Sequence, residues 1–125
     1  MRYKLVEKGN PARRNSPKKW YAILTNEGTL SSLSLIKKTA KYTQINKTDV
    51  AKVIQVLLRE TADHLLKGYS IKLKDFGTFR LSVSSDGVTH PQQFTSDNIR
   101  EVRVIFTPDK TLKEKMEHEK KRTER

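Results

Sequence analysis

Lys72-Leu73-Lys74-Asp75-Phe76-Gly77-Thr78-Phe79 is the stretch that decides the fold. Ile71 and Leu73 alternate with Lys72 and Lys74, a period of two that belongs to a strand with one apolar face. Asp75-Phe76-Gly77-Thr78 reads as a turn. Phe79, Leu81 and Val83 then alternate with Arg80, Ser82 and Ser84, so a hairpin is expected, apolar on one side and polar on the other.

Outward toward the C-terminus, residues 84–98 are polar and turn-rich, with Asp86-Gly87 and Asp97-Asn98, and contain no Lys or Arg. Val102, Val104 and Phe106 alternate again as a third strand, which turns Arg103 away from the apolar side. Thr107-Pro108-Asp109 breaks the chain and supplies a cap for a last helix containing Leu112 and Met116. The tail from His118 is charged throughout and is expected to fray.

Outward toward the N-terminus, the period becomes helical. Val50, Val53, Ile54, Leu57, Leu58, Leu65 and Leu66 recur at intervals of three and four. Asn46 is the expected N-cap of this helix, Asp49 suits its first turn, and Gly68 suits the left-handed position that ends it. A preceding helix carries Leu33, Ile36 and Ala40, with Ser32 as its expected cap. Two helices joined by four or five residues predict a helical hairpin. Earlier still, residues 3–7 and Trp20-Tyr21-Ala22-Ile23-Leu24 are strand candidates. They flank a polar basic loop from Arg13 to Lys19, and could pair as an N-terminal ribbon.

The chain has 125 residues and a formal charge of +12, from 26 Lys and Arg against 14 Asp and Glu. Such a surface attracts polyanions, and nucleic acid is the commonest of them. The charge is uneven: residues 1–20 carry a net +6, residues 33–67 a net +4, and residues 80–107 none. Only 34% of the residues are hydrophobic, so a subunit gains by sharing a core with a second copy. Cysteine is absent, the first residues hold no apolar signal region, and no run is long enough to span a membrane. A cytoplasmic protein is therefore expected. His64, His90 and His118 lie far apart without metal-ligand spacing, and no phosphate-cradling glycine loop or activated nucleophile is evident. The expectation is a protein with no catalytic residues, metal or cofactor, and no small-molecule substrate.

The order helix, helix, strand, turn, strand, polar excursion, strand, short helix resembles the HU/IHF histone-like DNA-binding proteins of bacteria. The stretch at 72–79 resembles that family's glycine-aromatic-glycine-threonine-phenylalanine turn, with Asp75 in place of the first glycine. Phe106-Thr107-Pro108 followed by Lys110 and Leu112-Lys113 is similar to its closing segment. The resemblance covers roughly residues 30–117. Residues 1–29 are similar to the extension of a divergent HU-like group from Bacteroides-type bacteria. The implied fold is α+β: a helical hairpin, a three-stranded antiparallel sheet with a ribbon arm, and a short C-terminal helix, preceded by an extra β-ribbon and assembled as an intertwined homodimer. The implied division is an extension at 1–29, a DNA-binding domain at 30–117 and a charged tail at 118–125.

The resemblance also implies a function: binding of double-stranded DNA in the nucleoid, independent of sequence or selective for shape. HU and IHF are standard examples of architectural minor-groove binders. The residues it implies for phosphate contact are Lys72, Lys74, Arg80, Arg100, Arg103, Lys110 and Lys113, although the same charges could be the solvated face of an amphipathic sheet. Pro91 and Phe94 fall where a DNA wedge would sit, with a simple loop bend as the alternative for Pro91. Arg13, Arg14, Lys18 and Lys19 offer a second phosphate-binding cluster, against a flexible solvated loop. The neutral arm puts DNA bending in question. Two other functions stay open: RNA binding by the same surface, and a protein-assembly module with little DNA bending.

Overall fold

A computed structural model describes residues 1–13 and 15–125. The chain divides into two compact units, one formed by Met1–Leu30 with Lys113–Arg125 and the other by Ser31–Leu112.

The larger unit opens with α1 (Ser32–Thr43) and α2 (Lys47–Leu66), which pack as a hairpin. The cap of α1 lies one residue earlier than expected: the Ser31 hydroxyl accepts from the Ser34 N–H at 3.3 Å, and Ser32 is already helical. Ser31 has the extended backbone that an N-cap needs. Asn46 caps α2 as expected, its side-chain oxygen accepting from the Thr48 N–H at 2.8 Å.

The end of α2 is a Schellman motif. The Tyr69 N–H donates to the His64 carbonyl and the Gly68 N–H to the Leu65 carbonyl, with Gly68 at φ +94°. Tyr69 lies edge-on to the His64 ring, with centroids 5.9 Å apart, which supplies the apolar contact that accompanies the motif. His64 Nδ1 also reaches the Glu60 carbonyl one turn back, at 2.8 Å.

The sheet has the order β3 (Ile71–Leu73), β4 (Gly77–Ser85), β5 (Ile99–Pro108), antiparallel throughout. Register places Ile71, Phe79 and Phe106 side by side on one face, followed by Leu81 opposite Val104 and Val83 opposite Val102. The rings of Phe76, Phe79 and Phe106 cluster at this end, with Phe79 and Phe106 centroids 4.7 Å apart. α2 packs against β3 and β4 of this sheet. Among the described residues, the apolar side chains buried within one copy are those of Val50 and Leu65.

The smaller unit pairs β1 (Tyr3–Lys8) with β2 (Lys19–Leu24), the expected ribbon. It also contains most of α3 (Lys110–Arg122), whose start is capped by Asp109 at 3.0 Å from the Leu112 N–H. The frayed tail expected from His118 is not found. The helix continues to Arg122, and Glu124 then lies beside β1, exchanging backbone hydrogen bonds with Met1 and Tyr3. These bonds give the last residues partners that a free tail would lack. The terminal amine of Met1 contacts Glu119 at 2.5 Å and holds that carboxyl below the usual carboxylate range by hydrogen bonding and charge. Lys113–Arg125 clusters in one compact unit with Met1–Leu30.

Candidate nucleic-acid interface

The face of the sheet opposite the aromatic cluster is polar. Its rows are set by register: Lys72, Thr78 and Thr107; then Arg80 and Ile105; then Ser82 and Arg103; then Ser84 and Glu101. Lys72 and Arg80 are diagonal neighbours across β3 and β4, and Arg80 and Arg103 across β4 and β5. Diagonal positions stand about 7–8 Å apart, within reach of long side chains. The three cations therefore form one oblique line across an exposed face. Thr78, Thr107 and Ser82 stand beside these positions, and Ser84 lies one row further along. Serine and threonine hydroxyls donate to phosphate oxygens alongside Lys and Arg. Sequence reading passed over them, although their alternation with the apolar residues of β4 and β5 was the available signal.

The other expected contacts are distributed differently. Lys74 sits in the turn after β3, beside Asp75, whose φ of +62° is the left-handed conformation that a glycine usually supplies. That is the position where the family's first glycine was replaced. Arg100 is the extra residue of a bulge, because Glu101 pairs with Ser84 while Ile99 pairs with Ser85. Its guanidinium is held at the arm, 3.3 Å from Asp86 and 3.4 Å from the Ser85 carbonyl. Arg103 has Glu101 at 3.7 Å on its own strand. Lys110 is the first residue of α3, and Lys113 follows one turn later on the same side of that helix.

The arm beyond Ser85 is not a long bare ribbon. The Asp86 N–H donates to the Asn98 carbonyl, and two short 3₁₀ turns, Pro91–Gln93 and Ser96–Asn98, fold the tip locally. Thr95 and Asn98 satisfy each other in a capping box, and Thr89 bonds Gln93. Pro91 starts the first of these turns, and Phe94, 41% exposed, follows it. In the N-terminal unit, Arg13, Lys18 and Lys19 are exposed, and Arg14 lies outside the described residues. Among the described residues no His, Asp and Glu side chains group closely enough to hold a metal ion, and no helix is long and apolar enough to cross a membrane.

This combination of helical hairpin and three-stranded sheet has counterparts among known proteins. A family described as "HU domain fused to wHTH, Ig, or Glycine-rich motif", HU-HIG, matches residues 1–125. The chain belongs to the HU-HIG family. HU-HIG proteins are HU/IHF-like, within the bacterial histone-like DNA-binding group. This HU-HIG chain is 29% identical over 90 residues to integration host factor subunit alpha of Azorhizobium caulinodans, across 70% of the chain and 86% of that protein. An HU variant from Thermotoga maritima is 25% identical with a TM-score of 0.52, matching 70% of this chain and 99% of the other. A protein from Bacteroides vulgatus, assigned to DNA binding, shares the fold over 98% of this chain and 46% of its own length, at 17% identity and TM-score 0.64. An Anabaena HU–DNA cocrystal structure also shares the fold, at 17% identity and TM-score 0.54, over 70% of this chain and 97% of that one.

Proposed function

We propose that two copies of this HU-HIG chain form a dimer that binds double-stranded DNA across their sheet faces through phosphate contacts, without reading sequence, in the bacterial nucleoid. The observation that carries the proposal is the oblique line Lys72–Arg80–Arg103 with hydroxyls beside its members. Cations placed this way neutralise phosphates and release condensed counterions, which provides affinity for any duplex. The contacts available on this face are backbone contacts; none is a long side chain on a helix that could enter a major groove. Lys110 and Lys113 extend the phosphate-binding role to the last helix, and Lys74 to the turn. The role is binding and not catalysis.

The dimer follows from what one copy leaves uncovered. Val53, Leu57 and Leu58 of α2 are each at least half exposed, as are Leu33 and Leu35 of α1 and Val83, Val102 and Val104 of the sheet. So much apolar surface on two helices and a sheet marks an interface. Light scattering at micromolar concentration should give twice the chain mass, and Leu57→Asp should reduce it to a monomer that melts at lower temperature. A wild-type chain that stays monomeric would refute the shared core.

Bending is the weaker part of the family behaviour here. The arm has no Lys or Arg between residues 84 and 98 to hold a groove, and Pro91 and Phe94 are the wedge candidates at its tip. FRET bending with Pro91→Ala and Phe94→Ala measures that role directly. The second reading, an assembly module, is favoured by the compact tip, which carries Asp86 and Asp97 without a Lys or Arg and leaves Val88, Phe94 and Ile99 exposed. Gel shifts with duplex DNA, single-stranded DNA and duplex RNA across a salt series separate the readings. Duplex DNA affinity that falls steeply with salt is expected. A preference for duplex RNA, or no duplex binding at low salt, would overturn the proposal.

A further inference from the structure

The N-terminal unit carries thirteen Lys and Arg against six Asp and Glu, a net +7 of the chain's +12. Its hairpin concentrates that charge. The register sets Lys8 directly opposite Lys19, with Val6 opposite Tyr21 on the same face, while the strand's single acid, Glu7, pairs with Trp20 on the other face. Like charges directly opposite each other destabilise a hairpin. Among the described residues no carboxylate lies within ion-pair distance of either ammonium. A repulsive pair with no internal counter-charge is what a site for an external anion looks like.

A cleft of about 600 Å³ adjoins the pair, lined by Lys8, Asn10, Ser16, Pro17, Lys19 and Tyr21. The Asn10 side-chain oxygen is committed to the Ala12 N–H at 2.9 Å, which leaves its NH2 group to donate. A second cleft of about 370 Å³ shares Asn10 and Ser16 with the first and adds Arg13 and Lys18. Four cations are therefore spread along two adjoining clefts at the loop end of the ribbon.

We propose that this loop is a second phosphate-binding surface, which takes successive phosphodiester groups of a nucleic-acid backbone. Lys8 and Lys19 hold one phosphate, with the Asn10 NH2 and Ser16 hydroxyl as neutral donors, and Arg13 and Lys18 hold the next. A free phosphate or a single headgroup would use one cleft; a polymer uses both. The proposal rests on the DNA-binding reading above but assigns part of the affinity to residues outside the HU-like sheet.

The test uses the full chain with a 60-base-pair duplex over a salt series, comparing Lys8→Gln/Lys19→Gln with Arg80→Gln/Arg103→Gln. Each lost phosphate contact reduces the slope of log K against log salt by about 0.9. The hairpin double variant should lower the slope by about 2 and the affinity about tenfold at moderate salt, while its melting temperature holds or rises because the repulsion is relieved. Lys8→Arg/Lys19→Arg should restore binding. An unchanged slope in the hairpin variant alongside a reduced one in the sheet variant would overturn this inference and leave the sheet reading intact; the reverse would sink the sheet reading alone. A photo-crosslinking residue at Tyr21 should label DNA in the otherwise unaltered chain, and no labelling would count against the surface however the variants fold. Loss of binding to phosphatidylglycerol vesicles with DNA affinity unchanged would assign the clefts to a membrane and refute the proposal.

Discussion

Gly77 lies so close to Phe106 that no other residue fits in its place. A Cβ there would overlap the Phe106 ring and stand 2.5 Å from the Thr107 carbonyl oxygen. The close approach lets the first residue of β4 pair with Pro108 while the aromatic cluster closes over the turn. Gly77→Ala should destabilise the protein by about 3 kcal/mol, at the upper end for overpacking, because backbone as well as a ring must move. Chemical denaturation measures this. Adding Phe106→Leu should recover only part of the loss, since the Thr107 carbonyl remains.

The two helix caps can be told apart by small substitutions. Asn46→Ala should cost about 1 kcal/mol. Ser31→Ala should cost roughly 0.5–1 kcal/mol and Ser32→Ala almost nothing, because Ser31 is the residue bonded to the Ser34 N–H. Equal losses at the two serines in thermal melts would contradict the cap assignment.

Gly68 is at φ +94°, where a side chain is strained whatever the surrounding space. Gly68→Ala should cost about 1 kcal/mol or more. Tyr69→Ala should add about 0.5–1 kcal/mol by removing the ring contact with His64. Hydrogen exchange should show the loss at the last turn of α2 before it reaches the middle of the helix.

Arginines on one strand should differ in their effect on DNA. Arg103→Gln should weaken duplex binding across all sequences and lower the salt slope by about 1. Arg100→Gln should change the slope by less, because its guanidinium is held by both Asp86 and the Ser85 carbonyl, against the single longer Glu101 contact of Arg103. Fluorescence anisotropy over a salt series measures both. Equal effects would mean that the Asp86 contact gives way to DNA.

Much of the architecture was readable in the residues. The shift from a period of three and four at Val50–Leu66 to a period of two at Ile71 and beyond marks the change from helix to sheet, and Asn46 and Gly68 mark the ends of α2. Local alternation also placed Arg80 and Arg103 on the side opposite the apolar residues. Less of the site was readable, since which cations share a line depends on pairing between strands and not on order within one.

Periodicity, capping chemistry and charge are properties of neighbouring residues, so the sequence alone determined the element order, the two-faced sheet and the polyanion preference. Tertiary structure decided the rest, because it depends on register and on contacts far apart along the chain. The bulge detached Arg100 from the cationic line, register set Lys8 against Lys19, and backbone pairing of Glu124 with Met1 and Tyr3 turned an expected loose tail into part of the N-terminal unit. No local pattern encodes those pairings; they form when separate segments meet and satisfy each other's hydrogen bonds.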